Sequence, residues 1–453
     1  MAHDSTPRNL VRAGLLAALG LGAGLSGCRI EIHDGGDRST GGDDRSTGGD
    51  DRSTGGDDRS TGGDDRSTGH GGATGHGGGD TGAGWDDADC SAYEGLPETP
   101  ATLEAFAEEG PYGFATRDFV FVDYSRPTPP NDGFAGTPYR ILPTRVWYPA
   151  RPGLAASPPP DERVPVACGG PFPMLAYAHG LTSTGANVRF YAEHMASHGY
   201  IMVFPQFPLS SINAPGGPTI ADVTSQPGDL AFVMRQVEQL GGPDADLAEA
   251  ADTRRGIVGF SAGGLTVLLA AYHPFWAIEG IQAAVAMAPL SCFLGPGIFG
   301  RSLPTMIIAG TADELVPPEG PRRMFAYAPP PVTLVELIGG THSGFLNVEV
   351  PFVLNTDTIE CERLLSFEPE QADDILAETI SRGAGPDAFD PEGCPELCGE
   401  RLDQTMGATR QLELTNAAIL AHFEATLRGR EDAAFVVTHE LAGEPDVRVE
   451  AKR

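Results

Sequence analysis

The stretch that most constrains the fold is residues 254–269, RRGIVGFSAGGLTVLL. A short apolar run ends in a glycine-rich turn, and a second apolar run follows at once. The first part reads as a buried strand and the second as the start of a buried helix. Between them stands one hydroxyl side chain, Ser261, followed by small residues. Gly259-Phe260-Ser261-Ala262-Gly263 fits G-x-S-x-G, in which a serine on a sharp strand-to-helix turn stands clear of the sheet edge. The helix behind such a serine offers free backbone N–H groups and the positive end of a dipole, which suit a developing oxyanion. In a chain with 60 Gly the five residues say little by themselves. Their meaning depends on what surrounds them.

The rest of the chain alternates short apolar runs with helical patterns. Residues 118–123, 140–148, 174–178, 200–204, 281–287, 305–309 and 332–338 read as strands. Residues 188–197, 229–240 and 320–327 read as helices, and 414–427 as the last helix. Apolar strands alternating with helices predict an α/β fold with a mostly parallel central sheet and helices on both faces. One such domain spans 85–453. Residues 347–411 break the rhythm: the segment is acidic, punctuated by Pro and Gly, and holds three cysteines. It reads as an insertion pinned by disulfides.

A serine nucleophile needs a histidine to take its proton and a carboxylate to orient that histidine. Asp313 follows the 305–309 strand in Gly310-Thr311-Ala312-Asp313, and His342 follows the 332–338 strand in Gly339-Gly340-Thr341-His342. The order Ser261, Asp313, His342 is that of an α/β-hydrolase rather than of trypsin or subtilisin. Glu314 and Glu336 are alternative carboxylates, the second inside a strand. Upstream, Ala178-His179-Gly180-Leu181 ends the 174–178 strand. The backbone N–H groups of Leu181 and Ala262 are the expected oxyanion donors, with His179 fixing that loop. His194, His198, His273, His422 and His439 have no partner pattern and read as structural.

Five blocks carry a resemblance: PTRVWYPA (143–150), AYAHGLTSTGANVRFYAEHMASHGY (176–200), GIVGFSAGG (256–264), IIAGTADELVPP (307–318) and GGTHSGF (339–345). Together they resemble the dienelactone-hydrolase-like and platelet-activating-factor-acetylhydrolase-like branch of the α/β-hydrolases, and are similar to bacterial cutinases and polyester hydrolases. The resemblance implies ester hydrolysis through an acyl-enzyme on Ser261, with no metal and no organic cofactor. Two departures limit it. Dienelactone hydrolases proper use a cysteine where Ser261 stands, and the 347–411 insertion is unlike a minimal cutinase.

The N-terminus reads as an address. Arg8 and Arg12 precede an apolar run, 13–25, too short to span a bilayer permanently. It ends in Leu25-Ser26-Gly27-Cys28, which resembles a bacterial lipobox. By that resemblance residues 1–27 are a signal peptide, Cys28 is the acylated residue, and the protein is exported and lipid-anchored to a bacterial membrane. Residues 28–84 then form a flexible tether. GGDRST occurs once and GGDDRST four times, without one apolar side chain to bury. Cys90, Cys168, Cys292, Cys361, Cys394 and Cys398 make an even number, as in disulfide-bonded exported proteins, with no pairing readable. The formal charge of −32 argues against a nucleic-acid partner. The expected partners are a small-molecule, lipid or polymer ester and, through Cys28, a membrane. Two rival functions use the same features: a serine peptidase of the prolyl or acylaminoacyl type, and a surface lipoprotein that keeps the fold as a binding module.

Overall fold

The computed structural model describes residues 98–153, 163–364, 377 and 380–453. Cys28, the repeats of the tether and Cys90 lie outside the described residues. Nine strands form one sheet: β1 (Gly113–Asp123), β2 (Arg140–Ala150), β3 (Phe172–Ala178), β4 (Ile201–Pro205), β5 (Ala251–Phe260), β6 (Ala283–Met287), β7 (Thr305–Gly310), β8 (Val332–Leu337) and β9 (Val447–Lys452). Their spatial order is β1-β2-β4-β3-β5-β6-β7-β8-β9. The pairs from β4 through β3, β5, β6 and β7 to β8 are all parallel. The β1–β2, β2–β4 and β8–β9 pairs are antiparallel.

The helices whose bounds fall among the described residues are α1 (Leu103–Ala107), α2 (Arg189–Ser197), α3 (Gln226–Glu238), α4 (Ala245–Ala250), α5 (Ala262–Tyr272), α6 (Glu319–Tyr327), α7 (Asp357–Leu364), α8 (Ala408–Leu427) and α9 (Glu431–Phe435). The sheet is covered on both faces. On one, Leu230, Val233 and Val237 of α3, Leu265, Leu268 and Tyr272 of α5, and Met324 of α6 share a core with Met174, Ile257 and Ile307. On the other, Tyr191 and Met195 of α2 and Leu414, Leu420 and Phe423 of α8 pack on Leu175, Val258 and Ile308. Successive strand residues therefore point to opposite cores, which is why β3, β4, β6 and β7 are buried at every position. This sheet order, with helices on both faces and Ser261 at the β5–α5 turn, is the α/β-hydrolase fold.

The chain end differs from expectation. Residues 414–427 are not the last element: α8 starts six residues earlier, inside the supposed insertion, and α9, a π-helical turn at Val436–Leu441 and β9 follow it. β9 is VRVEAK, an edge strand whose apolar and polar residues alternate, but over six positions with Val447 alone buried. The rest of the 347–411 segment contributes α7 and two disulfides. Cys292–Cys394 ties the segment to the loop after β6, and Cys361–Cys398 closes a loop within it. Cys168 is disulfide-bonded as well. Disulfides persist in oxidising compartments, in keeping with export. Among the described residues no helix is long and apolar enough to cross a membrane.

The loop between β4 and α3 is anchored from below by charge. Arg140 on β2, fully buried, donates from Nε to Asp229 at 2.8 Å and from Nη2 to Asp229 and Asp222 at 2.6 and 2.9 Å. Asp222 in turn accepts the N–H of Leu209 at 3.1 Å. Removing Arg140 leaves Asp222 without its cation and Asp229 with Arg126 alone, at 2.7 Å. Arg140→Met is expected to lower stability by about 3–5 kcal/mol, read from urea unfolding. A loss below about 1 kcal/mol would show that water compensates the carboxylates.

Candidate active site

Ser261 sits at the turn between β5 and α5 with φ 59° and ψ −120°, a conformation that costs an L-residue energy. Its backbone is held on both sides: its N–H donates to Met287 O at 2.9 Å, and its carbonyl accepts from Leu265 and Leu290. The glycines make this turn sterically feasible. A Cβ on Gly263 would collide with the Ala178 carbonyl, and one on Gly259 with the Gly263 carbonyl. α5, buried along its whole length, therefore lies directly against the end of β3.

Asp313 lies in the loop after β7 and His342 in the loop after β8, so neighbouring parallel strands deliver both to one edge of the sheet. His342 Nδ1 and Asp313 Oδ2 are 2.7 Å apart, in a hydrogen bond that is all but sealed from solvent. Asp313 Oδ1 also accepts the N–H of Val316 at 2.7 Å. With Nδ1–H given to the carboxylate, the other ring nitrogen is left as the basic one. The imidazole packs on the ring of Phe260, the residue before Ser261, at 4.5 Å between centroids. Among the described residues no hydrogen bond joins Ser261 Oγ to His342. Such bonds are often long in ligand-free sites and tighten when substrate arrives.

Burial is the largest influence on both members of the pair, and it acts in opposite senses. It pushes Asp313 up to about 6, against the attraction of His342. It pulls His342 down, but the charge and hydrogen bond of Asp313, with Asp357 and Glu360, outweigh it and leave the imidazole more basic than usual. The alternative carboxylates are occupied elsewhere. Glu336 pairs with Arg322 and Arg448, and Glu314 accepts from Arg401, Leu402 and Thr358.

The loop after β3 approaches the serine from the other side. A Cβ on Gly180 would lie 3.3 Å from Ser261 Cβ, a contact that leaves little room for any side chain. Leu181 follows, and Thr182, at φ 62°, donates its N–H to Ser210 O at 2.8 Å. His179 braces this loop: its Nδ1–H reaches Gly180 O at 2.8 Å and its Nε2 accepts the N–H of Phe207 at 3.0 Å. Burial lowers the His179 pKa, consistent with the neutral tautomer these bonds require. The N–H of Ala262, first in α5, has no acceptor within its own helix. That of Leu181 has none among the described residues.

Residues invisible to sequence reasoning hold the His342 loop. Gln411 of α8 grips Thr341 with both amide atoms, accepting its N–H at 2.9 Å and donating to its carbonyl at 2.7 Å. The Tyr191 hydroxyl donates to Phe345 O at 2.8 Å. Asp357 accepts from His342 N and Ser343 N, each at 2.8 Å. Gln411 and Asp357 stand in no motif, and Tyr191 lies in the 176–200 block with nothing there to mark its role.

No family model matches the chain, and no curated protein matches it. Among solved structures it is similar to a ferulic acid esterase from Streptomyces cinnamoneus. The identity is 17%, the TM-score 0.47, and the match covers 75% of this chain and 96% of that one.

The close approach of α5 to β3 is directly testable. Gly263→Ala must push the helix off the strand end or the strand off the helix. It is expected to cost about 1–3 kcal/mol in chemical unfolding. An unchanged stability would mean that the turn tolerates a Cβ.

Proposed function

We propose that the protein is a serine carboxylic-ester hydrolase working through an acyl-enzyme, with Ser261, His342 and Asp313 as its triad. The observation that carries the reading is the buried 2.7 Å bond between His342 Nδ1 and Asp313 Oδ2, formed at the sheet edge where Ser261 stands in a strained turn. In this mechanism His342 Nε2 takes the proton of Ser261 as Oγ attacks the ester carbonyl carbon. The N–H groups of Leu181 and Ala262 hold the oxyanion. The tetrahedral species collapses, His342 returns its proton to the departing alkoxide, and the acyl group stays on Ser261. Water then attacks the acyl carbon, again giving its proton to His342. The carboxylic acid leaves as Ser261 regains a proton. Asp313 keeps the imidazole in the working tautomer and stabilises the imidazolium.

The substrate in this reading is a small-molecule, lipid or polymer ester. Val348, Phe352, Val353 and Leu354 are exposed apolar residues that begin six positions after His342, and we assign them to the binding of the apolar part of the ester. Acylation of Cys28 would hold the enzyme at a bacterial membrane with residues 28–84 as its leash, facing its substrate outside the cytoplasm.

The proposal is open to direct test. A panel of p-nitrophenyl esters from C2 to C16 is expected to be hydrolysed by the wild type and not by Ser261→Ala, and a fluorophosphonate should label Ser261 alone. Absence of both would remove the enzyme reading and favour a binding module. Because His342 must be neutral to act and its pKa is raised, kcat/KM should fall as pH drops through a midpoint above 6.5. Asp313→Asn, which reverses the donor at Nδ1, should lower kcat by about 10⁴-fold. Finally, the double variant Phe352→Ser, Leu354→Ser is expected to raise KM for long-chain esters several-fold and to leave acetate esters unaffected. Equal effects across the series would detach this segment from substrate binding.

A further inference from the structure

The 347–411 segment enters the site directly, through a second buried carboxylate. Asp357, the first residue of α7, has no solvent exposure. Its Oδ2 accepts the N–H of His342 at 2.8 Å and that of Glu314 at 3.2 Å, and its Oδ1 accepts the N–H of Ser343 at 2.8 Å. One carboxylate thus joins the loop after β7, one residue beyond Asp313, to the loop after β8 at His342 itself. Among the described residues no cationic side chain pairs with it. A buried, unpaired carboxylate is costly unless several N–H groups solvate it, so its presence calls for a reason.

Its surroundings hold it in register. Asn355 donates through Nδ2 to Ala312 O at 2.8 Å and to Leu402 O at 3.0 Å, and its Oδ1 accepts the N–H of Asp357 at 2.8 Å. The N–H of Cys398 donates to Glu314 O at 2.7 Å. Its disulfide partner Cys361 lies one turn along α7 from Asp357 and packs with Leu315 and Val316 of the Asp313 loop. Residues 355–357 are therefore wedged between the loops that carry Asp313 and His342.

We propose that Asp357 is a positioning residue for the His342–Asp313 pair, and that the inserted segment completes the site by setting the spacing of the two loops and placing a second negative charge beside the imidazole. The inference rests on the triad reading given above. The charged groups facing His342 are Asp313 from the loop after β7, and Asp357 and Glu360 from α7. Glu314, whose N–H Asp357 accepts, has its own carboxylate on Arg401. β5 presents only the Phe260 ring. All three nearby charges are negative, so each favours the imidazolium that forms as Ser261 loses its proton.

The test uses full-length protein and reads His342 directly, by NMR titration of its imidazole in wild type and Asp357→Asn, with His342→Gln for assignment. The expected result is a folded Asp357→Asn protein whose His342 titrates at lower pH. On an ester it would show kcat reduced about 10- to 100-fold, as for a small misplacement of a catalytic group, KM within about threefold, and the acid limb of kcat/KM moved the same way. A folded variant with His342 titrating as in wild type overturns the proposal. Should Asp357→Asn fail to fold, Asn355→Ala, which frees the segment but keeps the carboxylate, is expected to move the titration in the same direction by less. An unchanged midpoint there overturns it equally. If the wild type hydrolyses no ester, the triad reading fails, whereas the titration still decides the placement of Asp357.

Discussion

The hydrogen bond between His342 and Asp313 is the interaction on which the candidate site depends, and it exists because two parallel strands are neighbours. β7 and β8 run in register from Thr305 opposite Val332 to Gly310 opposite Leu337. The loops that leave them start side by side at the same edge. A carboxylate three residues past one strand and a histidine five residues past the other then lie within reach of each other. Burial of the pair is possible because its polar groups are satisfied: Val316 N–H on one side of Asp313, and Asp357 beneath the His342 backbone.

The nucleophile side of the site rests on close backbone packing. A positive φ at Ser261 and the lack of room at Gly263 describe one constraint from two directions. The chain must turn sharply out of β5, and α5 must start against β3. Helix and strand then share the apolar core of one sheet face, and that burial offsets the strain of the turn. The β3 loop is braced by His179 and Ser210 and packs against the Ser261 turn, so the two expected oxyanion donors come from loops in direct contact.

Much of this was legible in the chain. Short apolar runs with β-branched residues marked seven of the nine strands. An eighth, β5, came from the stretch around Ser261, because a strand buried on both faces needs no alternation to be recognised. Asp313 and His342 were readable because each follows such a run at once. β9 is less legible: VRVEAK alternates apolar and polar residues, but its apolar side is two Val and one Ala on a six-residue edge strand. The apolar pattern of α8 begins only at Leu414, because its first six residues lie in a polar stretch. The 347–411 segment was recognised as cysteine-rich and acidic, but its acidity hid Asp357, one carboxylate among many.

The sequence by itself determined the fold class and the chemical identities at the strand ends, since both follow from local pattern: apolar runs, glycine at turns, and a hydroxyl, a carboxylate and an imidazole in a particular order. Only the tertiary structure decided which groups support them. Gln411 meets Thr341, and Asp357 meets Glu314, His342 and Ser343, across 14 to 70 residues of chain. No local pattern records such meetings, because they are set by where α7 and α8 come to rest on the sheet edge, and that depends on the packing of the whole domain.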